Sequence, residues 1–339
     1  MQICFEHSVI RISTLFRISD FVLRILLYLA ASAVKAIFEP ILRLCKMSQL
    51  SLLWTLLRSL GAGPLNRALV GWKTETKVAP VSTAEAAAFA AATDDPNPAY
   101  ARPGGPLPPL YIAKLFIPYL KQIWQTPELN LNLLRMVHAE QAVYWRRMLK
   151  SGEPFWLEMT ITDIRDTGAG ELLEITGRCK IDGETAVKGV TGLIVRKKKG
   201  RPSGPKGAAP ELEEERFRIE IPTREGQQRE YAKVSGDTNF IHTSELLARA
   251  AGLPRTILHG ACVLAMACGA LSRRLASGDI DRIEHIECRF ARPAIPGKPL
   301  TLVGTRDSAS HRSPFVILDE TGGAVLKQGS FCWRERTPR

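Results

Sequence analysis

The chain has no C-x-x-C pair, although it holds seven cysteines. They are Cys4, Cys45, Cys179, Cys262, Cys268, Cys288 and Cys332, an odd number at scattered spacing. That pattern excludes a zinc ribbon and argues against a disulfide framework. Most sit among apolar neighbours and read as small buried hydrophobes in a reducing compartment. The apolar N-terminal segment also lacks a run long enough to span a bilayer. Within residues 1–46 the longest uncharged stretch is the ten residues from Ile25 to Val34. A spanning helix needs about 20. Arg11, Arg17, Arg24 and Arg43 run through the whole segment, which fits a secretory signal badly. Neither common form of glycine-rich phosphate loop occurs. No cluster of His, Cys and acidic residues has metal-site spacing, so no metal is expected.

What is present is an ordinary globular composition. Apolar residues make up 45% of the 339, and charged residues 24%, which excludes wholesale disorder, collagen and coiled coil. The length corresponds to two domains of roughly 150 residues, each able to bury a core without disulfide or metal staples. Lys and Arg number 46 against 34 Asp and Glu, a formal net charge of +12. This suits an anionic partner, whether nucleic acid, membrane surface or phosphorylated cofactor, without choosing among them.

Residues 1–46 form an N-terminal extension with three readings. It is a membrane-surface amphipathic helix making peripheral membrane contact, an organelle-targeting segment, or a mis-called start ahead of Met47. Residues 48–60 read as a helix ending at Gly61-Ala-Gly-Pro64. Residues 83–92 are Ala-rich and helical, capped by Ser82 or Thr83. Residues 94–109 are loop, and 110–124 a mostly apolar helix bent at Pro118. Residues 155–164, 171–181 and 185–195 are strands of an antiparallel meander. Residues 196–210 hold six basic residues and no acid. A solvated linker over 196–215 explains them better than a nucleic-acid arm, since acids follow at Glu211 and Glu213 to Glu215. The same grammar then repeats. Residues 217–221 are a strand, 227–235 and 244–251 helices, and 257–275 a long apolar helix. Strands follow at 282–290, 299–308, 315–319 and 324–333. The chain thus divides into 47–195, the linker, and 216–339.

The two halves can be laid together. Thr93-Asp-Asp-Pro-Asn-Pro-Ala-Tyr100 matches Ser235-Gly-Asp-Thr-Asn-Phe-Ile-His242 at an offset of 142. Asp95 meets Asp237, Asn97 meets Asn239, and Tyr100 meets His242. A second anchor, Trp145 to Gly152 against Phe290 to Gly297, lies at an offset of 145. The histidine survives in one copy only.

The run from Tyr231 to His242, followed by Ile257-Leu-His-Gly260, resembles the hydratase 2 motif of the MaoC-like dehydratases. The match covers the second half well and the first half only through its degraded copy, where His138-Ala-Glu-Gln141 also resembles a family feature. It implies an α+β double hotdog, with two antiparallel sheets each wrapped around a central helix, near residues 110–124 and 257–275. It implies an (R)-specific enoyl-thioester hydratase, or the reverse 3-hydroxyacyl-thioester dehydratase, with coenzyme A or acyl carrier protein as carrier and no cofactor. Asp237 and His242 become the catalytic pair, Gly260 the oxyanion donor, and Ser235 and Asn239 supporting residues. Phe240 departs from the family, which usually has proline there. Tyr100 and the first half are expected to shape the acyl-chain tunnel.

The chemistry agrees with these assignments. Hydration needs an activated water at the β carbon, a proton delivered to the α carbon and stabilisation of charge on the thioester oxygen. A carboxylate and an imidazole close together can hold one water and move protons near neutral pH. A backbone N–H opening a helix suits a developing oxyanion. His259 has either a backbone or a chemical role, while His285 and His311 are surface or core. The rival readings are a hotdog thioesterase, which releases free thiol, and a non-catalytic acyl-thioester binding module. The protein is expected in the cytoplasm, or in an organelle matrix if residues 1–46 target it, alone or as a homodimer, without nucleic acid.

Overall fold

The computed structural model describes residues 62–133, 135–197, 215–307 and 309–335. The N-terminal extension, the helix expected at 48–60 and most of the basic linker lie outside them. Two series of elements follow one another along the chain. The first is β1 (Lys73–Val78), α1 (Thr83–Ala92), α2 (Ile112–Gln125), β2 (Met136–Trp145), β3 (Phe155–Asp166), β4 (Gly170–Ile181) and β5 (Glu184–Arg196). The second is β6 (Glu215–Ile221), α3 (Gln227–Ser235), α4 (Phe240–Thr243), α5 (Glu245–Ala250), α6 (Gly260–Leu275), β7 (Ile283–Phe290), β8 (Leu300–Arg306), β9 (Arg312–Leu318) and β10 (Ala324–Trp333).

The strands form one sheet in the order β1-β3-β4-β5-β2-β7-β10-β9-β8-β6. Read inward from each edge, the two halves run β1-β3-β4-β5-β2 and β6-β8-β9-β10-β7, the same order of corresponding strands. They join where β2 lies antiparallel to β7, from Glu140 opposite Arg289 to Tyr144 opposite His285. This is the double hotdog. The long strands were expected because their side chains alternate. In β3, Phe155, Leu157, Met159 and Ile161 are buried while the residues between them are not. The outer strands β1 (KTETKV) and β6 (ERFRIEI) carry charges along their length, which opposes pairing with another chain.

Two strands were not expected. β1 has almost no apolar residue, because it is an edge with little to bury. β2 mixes His138 and Glu140 with apolar residues and lies in the middle of the sheet. The helices also start later than anticipated. α2 follows a 3-10 turn at Pro109–Tyr111, and α6 begins at Gly260 after an extended approach. α1 begins as expected, with Ser82 and Glu85 forming a reciprocal capping box.

The helices fill the two halves differently. α2 reaches its half-sheet through Phe116, buried over Gly177 and Gly189. These glycines face each other across β4 and β5. α6 instead buries a series of small residues, among them Cys262, Ala265, Ala267, Cys268, Gly269 and Ala270, and lies against β6, β7 and β10. The buried thiols of Cys262 and Cys268 are pushed well up by burial. All five described cysteines are unpaired. Among the described residues, no helix is long and apolar enough to cross a membrane.

Candidate active site

α3 ends at Gly236, whose φ of 76° breaks the helix in the left-handed region. The chain then turns through short side-chain-to-backbone bonds. Ser235 Oγ accepts from the Asp237 N–H at 3.2 Å, Asp237 Oδ1 from the Asn239 N–H at 3.2 Å, and Asn239 Oδ1 from the Ile241 N–H at 3.3 Å. Each is the local bond that Ser, Asp and Asn make in turns. Ser235 and Asn239 therefore shape the loop that aims Asp237 and His242. Phe240 is the first residue of α4 and half-buried. At that position a helix accepts proline or another residue alike, so the departure from the motif leaves the turn intact.

The turn brings Asp237 and His242 together with a third group, His259. Donor atoms of all three lie within 4.8 Å of one another. His242 Nδ1 donates to the Ile257 carbonyl at 2.8 Å, which leaves Nε2 as its free lone pair. His259 Nε2 donates to the Asp237 carbonyl at 2.9 Å. The two imidazoles stack, with centroids 3.7 Å apart and planes 23° apart. Tyr231 lies on the far side of His259, at 4.9 Å between centroids. His259, an open choice in the sequence, thus packs against the pair and holds the Asp237 backbone.

A carboxylate and two imidazoles this close also form a transition-metal donor set, which residue spacing did not reveal. The rings are nearly parallel, however, so their in-plane lone pairs run side by side instead of converging. One ion would meet both only if a ring turned away from its carbonyl partner.

Burial works against charge on all three groups. It holds His242 below the usual imidazole value, despite the Asp237 carboxylate. His259 is pushed down to about 3 by burial and by His242 beside it. For Asp237, burial is outweighed by the adjacent His259 and His242, by the Asn239 N–H and by Lys121, so the carboxyl stays below its ordinary range. At neutral pH the site holds a carboxylate beside neutral imidazoles, a proton-accepting arrangement.

Gly260 opens α6, and no side chain caps its first turn. The unpaired amides there favour negative charge. The glycine has a packing reason that the sequence did not reveal. A Cβ at residue 260 would lie 2.6 Å from Phe290 Cε1, so the ring of Phe290 occupies the space a side chain would need. Phe290 ends β7 and in turn lies against His138 of β2, at 4.4 Å between centroids. Burial pushes His138 down to about 4.

These imidazoles make stability pH-dependent. A histidine kept neutral in the fold takes up a proton more readily once unfolded, with a pKa near 6.5. Their contribution is complete above that value and drains away as pH falls toward the folded values, about 4 for His138 and about 3 for His259. Thermal unfolding should therefore show Tm falling continuously from pH 7 to pH 4. The slope should be shallower in a His138→Gln variant, and equal slopes would disprove the contribution.

The matching loop of the first half has become a strut. Tyr100, 1% exposed, donates its hydroxyl to Asp95 Oδ2 at 2.8 Å. Asp95 lies 3.5 Å from Arg273 of α6, and Asn97 Nδ2 donates to the Gly278 carbonyl. Asp94 binds Arg224 and Gln227 of the second half. Tyr100→Phe should lower unfolding free energy by about 1–3 kcal/mol and leave catalytic rates unchanged. Denaturant unfolding and steady-state kinetics on one preparation measure both.

The double hotdog is the fold of solved MaoC-like dehydratases. Residues 208–313 match the MaoC like domain, and residues 68–188 the FAS1-like, dehydratase domain region. The chain thus carries a dehydratase-type region in each half. It is 32% identical over 181 residues to 3-hydroxyacyl-thioester dehydratase Y of Mycobacterium tuberculosis, covering 51% of this chain and 62% of that protein. It is 29% identical over 215 residues to Enoyl-CoA hydratase ChsH3 of the same organism, covering 60% and 72%. The crystal structure of a MaoC-like dehydratase from Phytophthora capsici superposes with a TM-score of 0.67 at 22% identity, covering 80% of this chain and 98% of that one. This last likeness shows the shared fold.

Proposed function

We propose that the chain is a hydro-lyase that adds water across the 2,3 double bond of an enoyl thioester, or removes it from the (R)-3-hydroxyacyl thioester. The observation that carries this reading is the couple of half-buried Asp237 and buried His242, whose donor atoms lie within 4.8 Å. One water is held between the carboxylate and His242 Nε2. Its oxygen bonds to the β carbon while a proton passes to the pair, and the pair returns a proton to the α carbon. Atoms and charge balance without an electron leaving, so acid–base groups suffice and no cofactor takes part. As the C–O bond forms, negative charge gathers on the thioester oxygen, and the first-turn amides of α6 at Gly260 stabilise it. The carrier is coenzyme A or acyl carrier protein. Both are anionic, which suits a net charge of +12. Unpaired thiols suit a reducing compartment, the cytoplasm or an organelle matrix.

The test is incubation of the purified chain with short and medium trans-2-enoyl-CoA. Loss of the enoyl absorbance, an (R)-3-hydroxyacyl product and no free thiol are expected. Release of free thiol would mark a thioesterase, and binding without turnover an acyl-thioester binding module; either overturns the reading.

A further inference from the structure

One buried polar group beside the pair comes from the other half of the chain. His138 stands at the start of β2, where the register with β5 slips between His138 and Glu140. Such a bulge re-aims the side chain next to it. The ring lies on Phe290, which itself covers Gly260. Asp237, the Gln141 side chain and the Glu140 backbone each favour the charged form of the His138 ring. Burial nevertheless keeps it neutral. Its Nε2 is buried and has no partner among the described residues.

Two more such atoms accompany it. Among the described residues, His259 Nδ1 and the Tyr231 hydroxyl are buried without partners, on side chains 2% and 1% exposed. Both groups also interact electrostatically with Asp237. Buried polar atoms in folded proteins are nearly always paired. Three such atoms near one carboxylate gather unmet hydrogen-bonding capacity at one place. A neutral imidazole bonded on one nitrogen offers only a lone pair on the other, so it takes a donor.

We propose that His138 is a substrate-binding residue contributed by the first half, its Nε2 accepting a hydrogen bond from an O–H or N–H of the thioester bound beside Asp237. The identity of the ligand rests on the hydratase reading. An acyl thioester offers two such donors, the hydroxyl at C3 together with the water that becomes it, and an amide N–H of the carrier arm. His138→Gln keeps a polar atom near the Nε2 position. His138→Phe keeps a ring on Phe290 without an acceptor, and His138→Leu repeats the test if the phenyl ring lowers Tm.

The expected result is a loss of about tenfold or more in kcat/KM for the Phe or Leu variant, with near-normal values for Gln. A fall in kcat assigns the C3 hydroxyl. A rise in KM, with weaker calorimetric binding of butanoyl-CoA, which has no C3 oxygen, assigns the carrier amide. Unchanged kcat, KM and butanoyl-CoA binding in a folded apolar variant would overturn the proposal. Loss of the hydratase reading looks different, because the wild-type protein itself then leaves every enoyl thioester untouched while His138→Phe still weakens butanoyl-CoA binding.

Discussion

Asp237→Asn is expected to lower kcat for enoyl-thioester hydration by about 10²–10⁴-fold, with little change in KM. The amide keeps the shape of the carboxylate, and its oxygen can still accept from the Asn239 N–H. What it loses is the negative charge and the ability to hold a proton. His242→Ala should be as damaging, since it removes the only member of the pair with a free imidazole lone pair fixed by the Ile257 carbonyl. Residues that move one proton act as a unit, so the double variant should be scarcely slower than either single variant. Single-turnover hydration with matched Tm measurements decides this. Multiplicative losses, or activity that survives both changes, would remove the pair from the mechanism.

The second large effect concerns folding. Gly177 and Gly189 face each other across two central strands, and the ring of Phe116 sits in the notch they leave. A Cβ at residue 177 would lie 2.2 Å from Phe116 Cζ, and one at 189 would lie 2.6 Å from Cε2. Phe116→Ala should cost about 3–5 kcal/mol, because two glycines cannot close over the hole. Gly177→Val should also destabilise, by about 1–3 kcal/mol, through overpacking. Combining Gly177→Ala with Phe116→Leu should recover part of the loss, since residues in contact do not add independently. Denaturant unfolding of the single and double variants tests this, and strict additivity would show that the notch is not shared. Activity should fall as well, because α2 carries Lys121, whose ammonium donates to the Gly236 carbonyl beside Asp237 at 3.1 Å.

The sequence carried the parts of the molecule that rest on local physics. β3, β4 and β5 were readable because β-branched and apolar residues alternate or cluster along them, and the loop from Ser235 to His242 because each polar residue bonds within a few positions of itself. β1 was silent because an exposed edge has no apolar stripe. β2 was silent because its role is at the join between halves, where Glu140 meets Arg289. The part His138 plays could not be seen, since it stands 99 residues before Asp237 and only the pairing of β2 with β7 closes that distance. Gly260 was singled out for a backbone role, whereas the ring of Phe290 that fills the space of a side chain there lies on a strand 30 residues later.

The join between β2 and β7 also bears on how selection could act on this chain. In an assembly of two identical subunits, every change to one loop is made in both, and the paired surfaces can separate on dilution. Here the two surfaces are tethered in one polypeptide, so their encounter is intramolecular and independent of protein concentration. A group donated across the join, such as His138, is therefore present beside Asp237 in every folded molecule. In the first half the matching loop, with Tyr100 in place of an imidazole, braces the second half through Asp95 and Arg273.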